Sequence, residues 1–156
     1  MKTLIMLSAV PAAGKTTWAK KYQQEHEHVY IINSDEVRME VTHGDYHDHS
    51  KQKEVWELFE KRIHEYANKE EDVTVILDAL NDVNVVRYKY LSTTPEFDHK
   101  ILILFPTTIE KSMEYNSHRP EENKVPDDIL VGLNHKFELP SPEVLALVDE
   151  VHEVHW

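Results

Sequence analysis

A mostly apolar run of strand length, Lys2 to Ser8 (KTLIMLS), leads straight into Ala9-Val10-Pro11-Ala12-Ala13-Gly14-Lys15-Thr16, and Thr17-Trp18-Ala19-Lys20-Lys21-Tyr22 continues as a helix. Strand, tight turn and helix start in that order leave a chain little choice of architecture. The buried strand delivers the turn, the turn points backbone N–H groups at one spot, and the helix N-terminus adds the positive end of its dipole. The spacing is that of the phosphate loop G-x-x-x-x-G-K-[ST], with Ala9 in the first glycine position. Lys15 is expected to reach the β- and γ-phosphates of a nucleotide, and the Thr16 hydroxyl to ligate Mg²⁺. Gly14 is the loop's one glycine, so Ala9 and Ala12 carry Cβ atoms where such loops often take a positive φ.

The rest of the composition narrows the class. A chain of 156 residues is the size of one domain, and 40% hydrophobic with 29% charged residues describes an ordinary globular protein. No apolar run approaches the roughly 20 residues of a membrane helix, and the run at 1–8 reads as a strand rather than a secretion signal. The chain has no cysteine, which excludes thiolate catalysis and Cys–zinc sites and suits the cytoplasm. A net charge of −12 repels phosphate backbones at long range. Extended nucleic-acid binding is therefore not expected; a small positive pocket gripping one nucleotide or small molecule is.

Strand-like and helix-like segments alternate, the α/β pattern. Val29-Tyr30-Ile31-Ile32 reads as a second strand, and Ser34 as the N-cap of a helix with Asp35 and Glu36 in its first turn. Residues 42–50 form a polar loop with three histidines, read as solvated or substrate-facing rather than as a metal site. Lys51 to Asn68 has helical spacing, with Trp56 off the apolar stripe and expected to pack on a neighbouring element, the alternative being a rim residue of the substrate cleft. Val73 to Asp78 is a third strand, Asp82 to Leu91 a helix, and Lys100 to Phe105 a fourth strand. Thr107 or Thr108 caps the next helix. Pro126 is expected as first residue of another, with Ile129, Leu130, Leu133 and Phe137 along its face. The polar stretch between these two helices, about residues 117–126, holds Arg119 and reads as a mobile lid. The tail from Glu150 to Trp156 alternates and reads as a fifth strand.

In doubly wound sheets ligands sit at the carboxyl ends of strands, so Asp35 and Asp78 should both face the phosphate loop. Asp35 is a candidate to accept or orient the proton of an acceptor hydroxyl, and Arg38, one helical turn on, to hold an acceptor phosphate. Asp78 is a candidate to orient Arg38 or to bind Mg²⁺ through water, and Arg119 to neutralise the transferring phosphoryl group. The competing reading of Asp35 and Arg38 is a helix-surface ion pair.

Three stretches carry a resemblance. Pro11-Ala12-Ala13-Gly14-Lys15-Thr16-Thr17-Trp18-Ala19, Tyr30 to Arg38 (YIINSDEVR), and Asn116-Ser117-His118-Arg119 followed by Val125-Pro126-Asp127-Asp128-Ile129-Leu130 resemble the kinase domain of phage 5′-hydroxyl polynucleotide kinases, within the small P-loop kinases that include zeta-toxin-like proteins. The resemblance covers about residues 1–135. It implies one P-loop kinase domain over 1–156, with a five-stranded, mostly parallel sheet flanked by helices under a lid. It implies ATP and Mg²⁺ as cofactors, with Ala9, Pro11, Ala12, Ala13, Gly14, Lys15, Thr16, Thr17 and Arg119 around the nucleotide. The residue matching Asp35 is the family's general base, the one matching Arg38 contacts the acceptor's phosphate, and the one matching Asp78 supports it. The family usually has glycine at positions 9 and 12, and often Arg at 115, where this chain has Tyr115. Three functions stay open: a kinase of nucleic-acid or nucleotide 5′-hydroxyls, a small-molecule kinase, and a nucleotide-binding regulator with little turnover.

Overall fold

The computed structural model describes residues 1–45 and 47–155. Five strands form one all-parallel sheet: β1 Lys2–Ser8, β2 Val29–Asn33, β3 Val73–Asp78, β4 His99–Leu104 and β5 Glu150–Glu153, in the order β2-β3-β1-β4-β5. The α-helices among the described residues are α1 Lys15–Glu25, α2 Ser34–Val41, α3 Gln52–Ala67, α4 Asn84–Ser92, α5 Ile109–Ser117, α6 Asp127–Lys136 and α7 Pro142–Leu145.

The central strand β1 shows why both faces are covered. Leu4 and Met6 join one apolar cluster with Val55, Phe59 and Ile63 of α3 and Tyr90 and Leu91 of α4. Ile5 and Leu7 join the other, with Ala19 of α1 and, at its edge, Trp18 and Tyr22. A strand flanked by parallel neighbours buries both sets of alternating side chains, so it reads as a continuous apolar run. Trp56 packs against the first cluster as expected. No helix of the described residues is long and apolar enough to cross a membrane.

Several boundaries differ from the sequence expectation for local reasons. Asn33, not Ser34, caps α2: its Oδ1 accepts from the backbone N–H of Asp35 (2.9 Å) and Glu36 (3.0 Å), and Ser34 is already helical. The helix expected from Asp82 starts at Asn84, because Asn81 has a left-handed φ of 44° and Val83 is extended. Pro126 is the cap preceding α6 rather than its first residue, and Phe137 lies beyond the helix in extended backbone. Thr108 caps α5, its hydroxyl accepting from the Lys111 N–H. β5 stops at Glu153, and Trp156 lies outside the described residues.

The β5 edge is held by ionisable groups. Glu150 pairs with His99 of β4 and, at 2.9 Å, with His152. The hydrogen bond to Glu150 raises the His99 pKa, and that same bond, with the one to His152, lowers that of Glu150. A raised histidine contributes stability below its unfolded value of about 6.5, lost as pH climbs through the folded value; a depressed carboxylate contributes above about 4.3, lost as pH falls. Amides of residues 151–154 are therefore expected to exchange most slowly between roughly pH 4.3 and 6.5, and faster towards pH 8 beyond the intrinsic base-catalysed rise. Hydrogen exchange across that range checks it.

Candidate functional site

The carboxyl ends of β1, β2 and β3 open into a cavity of about 880 Å³, near the upper end of single-ligand pockets, which run roughly 300–1,000 Å³. Pro11, Lys15 and Thr16 line it from the phosphate loop, Asp35 and Arg38 from α2, Asp78 from β3, and Arg119 from the turn after α5. The lining also holds Lys89, Lys124 and Lys136, with Asp82 as the one further acid. Lys89 and Lys124 are paired with Glu60 and Glu121, and Arg38 with Asp35, so Lys15, Arg119 and Lys136 are the cations of this lining that face it without an ion pair among the described residues.

The loop's geometry follows from its residues. Gly14, at φ 88°, precedes α1 without a side-chain cap, so the helix's first N–H groups are left for a ligand. Ala12 takes the positive φ, 58°, that glycine would adopt without a Cβ penalty. Ala12→Gly is expected to relieve about 1 kcal/mol of that strain and raise the melting temperature by roughly 2–4 °C, read by calorimetry. Ala9, Ala12 and Ala13 are buried beneath the cavity, and Thr17 is exposed beside Thr16. The Ala9 N–H is already bonded to the Leu80 carbonyl (2.9 Å), so Ala9 shapes the loop and its amide is not available to a phosphate.

Lys15 is buried and its ammonium has no hydrogen-bond or ion-pair partner among the described residues. Burial lowers its pKa, partly opposed by Asp78. A buried cation facing a cavity without a partner fits an anion supplied by a ligand. The Arg119 guanidinium likewise has no partner among the described residues.

Asp78 differs from one expectation. It does not hold Arg38: its Oδ2 accepts from Thr16 Oγ1 (2.8 Å) and Asn33 Nδ2 (2.8 Å), because Asn33 is its register partner across β2 and β3. That moves Asp78 from the acceptor side to the phosphate side. The Thr16 hydroxyl and the Asp78 carboxylate form the hard oxygen pair that suits Mg²⁺ beside phosphates. Among the described residues no three metal-ligating side chains cluster, so phosphate oxygens and water would complete such a site. His47 and His49 of the 42–50 loop line the cavity; Tyr46, within it, lies outside the described residues.

Arg38 is buried, 6% exposed, while the Asp35 carboxylate that it pairs with at 2.9 Å is 44% exposed, so the pair has one enclosed and one open partner. Its Nη2 donates to Gln52 Oε1 at 3.2 Å. The Nε is buried with no hydrogen-bond partner among the described residues. Asn33, Gln52 and Asp82 were not legible as site residues.

Arg87 of α4 is fully buried beneath the loop. It donates to Ser8 Oγ (2.9 Å), the Asn81 carbonyl (2.8 Å), Asn84 Oδ1 (2.8 Å) and the Glu138 carbonyl (2.8 Å), and sits 5.2 Å over the Phe137 ring. It ties the end of β1 to the segment after α6. Its signal was the helix pattern: Arg87, Tyr90 and Leu91 share the buried face of α4. Arg87→Ala removes these hydrogen bonds, takes the donor from the Glu138 carbonyl and leaves a void where a fully buried side chain packed, while the Asn81 carbonyl and Asn84 Oδ1 keep Ser8 Oγ and the Ser141 N–H as donors; it is expected to cost about 3 kcal/mol, a fall of roughly 6–12 °C in Tm. Arg87→Lys cannot reproduce the planar fork and recovers little of it.

The family model described as "Chromatin associated protein KTI12" matches residues 2–146. The chain belongs to the KTI12 family. No curated protein matches it in sequence. Kti12 of Chaetomium thermophilum in complex with ADP-AlF3 superposes with a TM-score of 0.72 at 18% identity, covering 98% of this chain and 89% of that one. A chain of the Pnkp1/Rnl/Hen1 RNA repair complex gives 0.74 at 20% identity, covering 86% of this chain and 43% of that one. A gluconokinase from Sinorhizobium meliloti gives 0.63 at 14%, covering 98% and 82%. These likenesses show the fold: a P-loop kinase-like sheet, as the sequence resemblance implied.

Proposed function

We propose that this KTI12-family chain is an ATP-dependent, cytoplasmic phosphotransferase. It moves the γ-phosphate of ATP to an acceptor hydroxyl, the 5′-hydroxyl of a polynucleotide or nucleotide. The observation that supports it most is that Lys15, with no partner of its own, and the Asp35–Arg38 pair line one cavity. The roles follow from position. The loop N–H groups and Lys15 hold the triphosphate; Thr16 and Asp78 would hold Mg²⁺, which would supply positive charge beside the phosphates. Asp35 orients the acceptor hydroxyl and takes its proton as the oxygen bonds the γ-phosphorus and the bond from that phosphorus to the β,γ-bridging oxygen breaks, releasing ADP. Arg38 holds the acceptor's adjoining phosphate, and Arg119 reaches the transferring group as the 117–126 segment closes as a lid.

A strand end entering the cavity meets the cation-rich lining and leaves the acidic exterior out of play, which fits a terminal hydroxyl rather than a long nucleic-acid track. The test is transfer of label from γ-labelled ATP to a 5′-hydroxyl oligonucleotide, beside a panel of sugars. Labelled oligonucleotide supports the reading; labelled sugar alone gives the small-molecule kinase instead. A second reading, a nucleotide-binding regulator with little turnover, is favoured by the KTI12 membership and by the alanines at positions 9 and 12. ATP binding that persists in Asp35→Ala, with no transfer in the wild type, selects it.

A further inference from the structure

Beyond Arg38 the cavity has a wall that phosphoryl transfer does not use. Gln52, the acceptor for Arg38, opens α3, and Trp56 follows four residues on, so the two side chains share a helix face about 5–6 Å apart at their Cβ atoms. The Trp56 ring packs edge-on against Phe59 (centroids 5.2 Å), and Phe59 tilts against Tyr90 of α4 (5.5 Å). Phe59 is wholly buried, while Trp56 and Tyr90, the two ends of this row, line the cavity together with Val83 and Val86.

One polar group on this wall is open to a ligand. The Tyr90 side chain is 4% exposed and lines the cavity, and its hydroxyl makes no hydrogen bond among the described residues. Water can meet that hydroxyl through the cavity, and a ligand lying there would take the water's place. Burial also pushes the Tyr90 phenol up, so it stays an O–H donor.

We propose that this wall is a nucleobase subsite for the acceptor. The base of the terminal nucleoside lies on Trp56 and Val86, and the Tyr90 hydroxyl donates to a ring nitrogen or carbonyl oxygen of that base. A sugar acceptor would need a dense set of donors and acceptors; this wall offers a flat aromatic, two valines and one hydroxyl. Base–aromatic stacking is sequence-tolerant, so Trp56 sets nucleoside against non-nucleoside, and Tyr90 sets preference among bases. The assignment of the neighbouring hydroxyl to Asp35 rests on the phosphotransferase reading; the base-binding wall does not.

Two measurements keep those ideas separable. The first is calorimetric binding of adenosine 3′-monophosphate and of base-free ribose 3-phosphate. The second is labelled-phosphate transfer to 5′-hydroxyl oligonucleotides beginning with a normal nucleoside or with an abasic ribose. Wild type is expected to favour the base-bearing ligand by about tenfold or more. Trp56→Ala should bring that ratio close to one while ATP binding holds, Trp56→Phe should restore most of it, and Tyr90→Phe should flatten the preference among the four bases. A wild type that treats base-bearing and base-free ligands alike overturns the subsite. So does a Trp56→Ala protein that weakens both ligands and ATP equally, the mark of a packing role alone. If neither oligonucleotide is phosphorylated, yet base-dependent 3′-nucleotide binding vanishes in Trp56→Ala, the subsite stands and the phosphotransferase reading falls.

Discussion

Asp35→Asn lowers kcat for phosphoryl transfer by roughly 10²–10⁴-fold while the KM for ATP stays within about twofold. The asparagine keeps the shape of the side chain, and α2 keeps its start, because Asn33 caps it through backbone N–H groups that the substitution does not touch. What is lost is the carboxylate that accepts the acceptor's proton. Arg38 also loses the charge it pairs with at 2.9 Å, so the acceptor KM is expected to rise modestly. Steady-state kinetics with each substrate varied in turn reads both effects. A large rise in the KM for ATP would place Asp35 on the nucleotide side and contradict its assignment.

Lys15→Ala is expected to lower kcat/KM by at least about 10³-fold, because in the proposed reaction the ammonium would contact charge that grows in the transition state. The substitution has a second signature that separates site from scaffold. In the free protein Lys15 is buried without a hydrogen-bonding partner, and burial already disfavours its charged form. Removing it removes a desolvation penalty, so the ligand-free variant melts no lower than wild type. Wild type gains stability with ATP as RT ln(1 + [L]/Kd), about 2.7 kcal/mol at a hundredfold excess over Kd. Lys15→Ala shows little of that gain. Thermal melts with and without Mg·ATP measure both quantities at once; a variant that melts well below wild type without ligand would make Lys15 a structural residue.

What the sequence made legible and what it hid follow from the range of the forces involved. The strand-to-helix passage at Lys2–Tyr22 is local, and its turn and helix start are read from neighbouring residues. Asp35 and Arg38 were legible because one helical turn sets their mutual reach. Asp78 was legible as a site residue at a strand end, yet its partner was not. That it bonds Thr16 and Asn33 rather than Arg38 depends on the register of β2 against β3, which no local pattern carries. Ser34 was the natural candidate for a cap, but Asn33 takes that place and in the same position bridges to Asp78, joining helix start and phosphate site through one side chain. Gln52 and Tyr90 belong to helices brought to the cavity only by packing on the sheet. Arg87 drew no reading from the sequence; it shares the buried face of α4 with Tyr90 and Leu91. The lid expectation for residues 117–126 came from polarity alone; what the structure shows there is a clasp, the Asn116 amide bonding both the N–H and the carbonyl of Val125.

The most direct test of the account is a crystal structure with a non-hydrolysable ATP analogue, Mg²⁺ and a 5′-hydroxyl oligonucleotide. The account predicts the terminal oxygen within hydrogen-bond reach of the Asp35 carboxylate and about 3–3.5 Å from the γ-phosphorus, in line with the bond to be broken, with Lys15 on the same phosphate. An acceptor oxygen bound elsewhere, or a triphosphate that leaves Lys15 unpaired, would contradict it.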